Sequence, residues 1–101
     1  MKIFYLTFFV ATIYGQNSNS IMQATAALNA GMYEKALVHI KDAEEEDPTS
    51  PNLYQMKALL HEALNQPKEA LEAWKSCLKY SKDKKVKRQA KNHIKVLSYE
   101  L

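Results

Sequence analysis

Residues 17–50 read NSNSIMQATAALNAGMYEKALVHIKDAEEEDPTS, and residues 51–84 read PNLYQMKALLHEALNQPKEALEAWKSCLKYSKDK. Laid over one another at an offset of 34, Met22 meets Met56, Ala24 meets Ala58, Ala36 meets Ala70, Leu37 meets Leu71 and Lys41 meets Lys75. The helix punctuation recurs at the same offset. In the first window Ser20 and Gln23 have the spacing of a capping box, in which side chains satisfy the free N–H groups of a helix start. This spacing predicts a helix over about 18–29, closed by Ala30-Gly31, because glycine takes the left-handed conformation without steric cost. A second helix, about 33–46, carries Tyr33, Ala36, Leu37, Ile40 and Ala43 on one face at three- and four-residue spacing. Asp47-Pro48-Thr49-Ser50 breaks the chain.

The second window repeats the pattern. Ser50 is a natural N-cap and Pro51 suits the first turn, where its missing N–H is no loss. A helix over about 51–64 puts Tyr54, Ala58, His61 and Leu64 on one stripe. After the Asn65-Gln66 turn, Pro67 restarts a helix whose buried face is Ala70, Leu71, Trp74, Cys77 and Leu78. A fifth helix, about 84–99, has Val86, Ala90, Ile94 and Leu97 as an apolar stripe on an otherwise basic surface.

This layout resembles the tetratricopeptide repeat, a helix-turn-helix unit of 34 residues. The resemblance covers about 17–84. It rests on the small-large-small patterns Ala36, Ile40, Ala43 and Ala70, Trp74, Cys77, on Pro48 closing the first unit, and on Tyr54 and Ala58 at the aromatic and small positions of the second. Lys57 stands where the family has leucine, and His61 where it has tyrosine. The resemblance implies an all-α solenoid of two repeats, about 17–50 and 51–84, with the helix of about 84–99 as a polar cap.

The rest of the chain fits an all-helical expectation. Two glycines and three prolines in 101 residues leave too little turn chemistry for a fold of many short strands. A single cysteine, Cys77, excludes a disulfide framework. Ahead of the repeats, Met1-Lys2 and an uncharged apolar run from Ile3 to Tyr14 have the layout of a secretory signal peptide. That run is shorter than the roughly 20 residues a spanning helix takes, and no basic stop-transfer cluster follows it. Residues 1–15 are therefore expected to be an export address cleaved near Gly15. Residues 16–101 would then be the working domain, periplasmic or secreted and without a transmembrane helix.

No nucleophile-base-acid set and no glycine-rich phosphate loop can be assembled, so no enzyme activity is expected. His39, His61 and His93 lie on three different helices without a second ligand at i+4, so neither a metal nor another cofactor is expected. Trp74 at helical spacing reads as core rather than as a stacking platform.

The resemblance implies a concave face lined by the first helix of each unit, where members hold an extended peptide or a partner's helix. Mapped by position, that face would present Ile21, Thr25, Leu28 and Asn29, then Gln55, Leu59, Glu62 and Ala63, then Gln89, His93 and Val96. The lysines, asparagines and arginines with which some members clamp a C-terminal carboxylate are replaced here by Ile21, Thr25, Gln55 and Leu59. A partner segment with apolar anchors suits such a face, as does a second copy of the chain, since two repeats bury little alone.

Charge is unevenly divided. Residues 16–81 hold six bases and nine acids, for −3, whereas residues 82–101 hold seven bases and two acids, for +5. The bases of the second segment are Lys82, Lys84, Lys85, Lys87, Arg88, Lys91 and Lys95. They read either as the solvated face of a cap or as a footprint for an anionic partner, namely a lipid headgroup or an acidic protein. Nucleic acid is not expected, since one arginine and no interleaved aromatic residue before Tyr99 offer little to a base. The sequence thus points to a non-catalytic interaction module, with a small basic factor for anionic envelope surfaces as the alternative.

Overall fold

The computed structural model describes residues 20–101, and the expected export segment lies outside them. The described chain is all helical. It forms α1 (Ser20–Asn29), α2 (Tyr33–Glu46), α3 (Pro51–Ala63), α4 (Pro67–Tyr80) and α5 (Lys84–Glu100). Consecutive helices pack in chain order, and the α1–α2 and α3–α4 hairpins are closer than the α2–α3 step between them.

The repetition is visible in the backbone itself. Gly31, at φ +76, closes α1, and Asn65, at φ +56 and 34 positions later, closes α3 in the same left-handed conformation. Around Gly31 the Met32 N–H donates to the Ala27 carbonyl at 2.8 Å and the Gly31 N–H to that of Leu28 at 3.0 Å. Around Asn65 the Gln66 N–H donates to His61 at 2.8 Å and the Asn65 N–H to Glu62 at 3.0 Å, each partner displaced by the same 34. Both turns thereby satisfy carbonyls that a helix end leaves free. Asn serves at the second site because its short polar side chain tolerates the left-handed region better than other non-glycine residues.

Helix starts follow local chemistry. The Ser50 hydroxyl accepts from the Leu53 N–H at 3.4 Å with Pro51 in the first turn, and the Asp83 carboxylate accepts from the Lys85 N–H at 2.8 Å to open α5. Ser20 does not form the capping box expected with Gln23. Its buried hydroxyl donates to Glu46 Oε1 at 2.9 Å, which ties the start of α1 to the end of α2.

The core runs along the helix stack. Ala24 and Ala58, Ala36 and Ala70, Ile40 and Trp74, and Ala43 and Cys77 occupy matching buried positions of the two hairpins. Alanines at the crossings let backbones approach, and Ile40 and Trp74 fill the wider gaps. α3 buries more than the single stripe its periodicity suggests, because Leu53 and Leu60 are fully buried beside Tyr54, Ala58 and His61. As the middle helix it is covered from both sides, and beyond its first turn Leu59 and Ala63 are exposed while Gln55, Met56, Lys57 and Glu62 are half-buried.

Candidate functional site

The side chains expected on the face of α1, α3 and α5 divide into a frame and a contact surface. Five belong to the frame. The Thr25 hydroxyl donates to the Ile21 carbonyl at 2.8 Å and lies 3.7 Å from Met56 Sδ, bringing α1 against α3. Gln55 Nε2 donates to Gln89 Oε1 at 2.6 Å, joining α3 to α5 across a sequence interval of 34. Farther along, the Glu62 carboxylate accepts from His93 Nδ1–H at 2.9 Å and from Trp74 Nε1–H at 2.7 Å. The His93 ring also stacks on Trp74, with centroids 4.4 Å apart. A half-buried carboxylate with two such donors has its hydrogen-bonding needs largely met inside the protein, and it fixes α3, α4 and α5 together.

Ile21 and Leu28 are half-buried and pack against the core. The contact surface is what remains, with Asn29, Leu59, Ala63 and Val96 exposed. Leu59 shows 37% of its surface and Val96 57%. Five of the eleven expected residues therefore hold helices together, with Thr25 of α1 against α3 and Gln55 and Glu62 of α3 joined to Gln89 and His93 of α5.

At the α5 end of this face lies a cavity of about 300 Å³, lined by Glu62, His93 and Val96 and by Asn65, Gln66, Pro67, Asn92, Leu97 and Glu100. Asn65 and Gln66 are legible in sequence only as a turn. No local pattern says that the last two turns of α5 come to rest against it.

A second cleft, of about 570 Å³, is lined by residues of both signs that include Glu44, Tyr54, Lys57, His61, Lys68, Glu69 and Glu72. Here the two departures from the family pattern find partners. Lys57 Nζ pairs with Glu44 Oε2 at 3.0 Å, and the buried His61 donates from Nδ1 to Gln66 Oε1 at 2.7 Å. Tyr54 donates its hydroxyl to the Pro48 carbonyl at 2.6 Å, and its ring stacks on Tyr80. Burial, reinforced by the neighbouring Glu44 carboxylate, pushes the Tyr54 phenol above its ordinary value. Glu46 is held by Ser20, and Asp47 accepts from the Thr49 N–H and hydroxyl, so most of the acidic run 44–47 is spent on local structure.

The basic block is different. Lys82, Lys84, Lys85, Arg88, Lys91 and Lys95 are exposed and Lys87 is half-buried. The ion pairs among the described residues are Lys57–Glu44 and Lys75–Glu72, and neither they nor the His93–Glu62 hydrogen bond includes a member of this block.

Among the described residues no helix is long and apolar enough to cross a membrane, and no three His, Cys, Asp or Glu side chains gather as a metal cluster. Compared with known proteins, the chain matches no family model, no curated protein and no solved structure.

Proposed function

We propose that this chain is a small tetratricopeptide-like interaction module that holds a peptide or helix of a protein partner along the face of α1, α3 and α5, with no bond made or broken. The observation that carries this reading is the pairing of Gln55 with Gln89 and of Glu62 with His93. These bonds set the face in place before a partner arrives, which lowers the ordering cost of binding. Between them stands the exposed Leu59, and beyond them the exposed Ala63 and Val96 and the α5-end cavity. Such a surface rewards apolar anchors and amide contacts. In the same reading residues 1–15 are an export address, and the module works in the periplasm or outside the cell.

Selection of peptides from a random display library against the purified chain tests the proposal. It expects segments with apolar anchors at helical or extended spacing, retained through a high-salt wash. Recovery of acidic segments alone, all released by salt, would contradict it. A second copy of the chain is the other occupant this face admits, and it would appear as a concentration-dependent dimer in sedimentation that Leu59→Gln dissolves.

A further inference from the structure

We propose that the outward face of α5 docks on an anionic lipid bilayer. Lys84, Arg88, Lys91 and Lys95 follow one another at intervals of four, three and four residues, and so form one line down the helix. At the usual helical rise that line is about 16 Å long. It lies opposite the stripe on which Ala90 and Leu97 are buried, so the row is turned away from the core. Nothing in the described chain neutralises it. The Asp83 carboxylate is occupied in capping the helix, and Glu100 lines the cavity on the partner-binding side.

The shape and composition of the row favour a bilayer over an acidic polypeptide. It sits on a convex helix surface, and three of its four cations are lysines, which act as point charges rather than as forks for a carboxylate. A continuous negative surface satisfies such a row without any register. Beyond Lys95 the helix exposes Tyr99, at 83% of its surface, and Leu101 follows at 58%. An exposed tyrosine beside lysines is the side chain that settles at headgroup level. The charge asymmetry supplies orientation, since the −3 of residues 16–81 lies behind the +5 of residues 82–101 and turns the molecule α5-first toward a negative surface. The proposal is independent of what occupies the face of α1, α3 and α5.

Co-sedimentation of the full chain with vesicles of phosphatidylcholine, with and without phosphatidylserine, tests it at an ionic strength of about 0.1 M. The readout is the ratio of binding to anionic over zwitterionic vesicles, because the apolar residues 3–14 contribute to both. Trp74 is fully buried, so pelleting rather than tryptophan emission reports the docking. Each cation near such a surface contributes about fivefold, and K84Q/R88Q/K91Q/K95Q is expected to lower the anionic affinity by about a hundredfold or more. K84R/K91R/K95R keeps it, and Tyr99→Ser loses a few-fold on vesicles at unchanged charge. A ratio unaffected by the quadruple substitution overturns the proposal. So does tighter binding to soluble polyglutamate than to anionic vesicles, which would make an acidic polypeptide the partner.

Discussion

Trp74 touches three helices at once: it is buried on α4, donates to Glu62 of α3 and stacks on His93 of α5. Truncation to alanine removes the largest core side chain and leaves Glu62 without one of its two donors. The expected loss is about 3–5 kcal/mol, against a total of about 5–15 for a domain of this kind. Urea titration followed by circular dichroism measures it, and an unchanged midpoint would place Trp74 outside the core. Two other buried groups contribute a dependence on alkaline pH. Burial pushes the Cys77 thiol above its ordinary 9.0, and burial with Glu44 pushes the Tyr54 phenol above 10.0. In each case the folded chain holds its proton to higher pH than the unfolded chain does. Their contribution is complete below the unfolded values and is lost as pH rises through the folded ones. Stability should therefore fall from about pH 9 upward, and Cys77→Ala combined with Tyr54→Phe should flatten that slope. Equal slopes in denaturation series across the range would exclude these two groups as its source.

The two left-handed turn residues decide how α1 and α3 end. An added Cβ at Gly31 meets open space, so the cost of Gly31→Ala is conformational alone. It should be about 1–2 kcal/mol, the penalty of the left-handed region for an ordinary side chain. At the equivalent Asn65, replacement by glycine should stabilise by up to about 1 kcal/mol. Thermal melts of the two variants should move in opposite directions, and movement in the same direction would break the equivalence of the turns. These ends were legible in sequence because glycine, asparagine and proline act locally. The predicted starts at Tyr33, Pro51, Pro67 and Lys84 coincide with the observed ones, since Gly31, Pro51, Pro67 and the Asp83 cap are all local signals. Partnerships across the stack were not legible. Ser20 looks like a cap for its own helix until Glu46, 26 residues on, is brought beside it. Leu53 and Leu60 fall off the stripe of α3 because a periodicity reading supplies one buried side, whereas a middle helix has two. Of the candidate face, the residue types were readable. The division between residues that tie helices together and residues that stay free appears only when the helices are adjacent.

At the scale of the molecule, two surfaces of opposite chemistry flank α5. One is the face shared with α1 and α3, where exposed Leu59 and Val96 stand among side chains already paired with each other. The other is the uncompensated basic row. Ionic strength separates them, because apolar anchors are indifferent to screening while a row of exposed cations loses its reach as the Debye length falls from about 10 Å at 0.1 M salt to about 3 Å at 1 M. Partner binding through apolar anchors is tested most directly by the affinity of a library-selected peptide for the chain and for its Leu59→Gln/Val96→Gln variant, measured calorimetrically at low and high salt. The affinity should hold within about twofold across the salt range and fall by about tenfold or more in the variant, as expected for apolar side chains that no longer bury. An affinity that collapses with salt and ignores the two substitutions would contradict it.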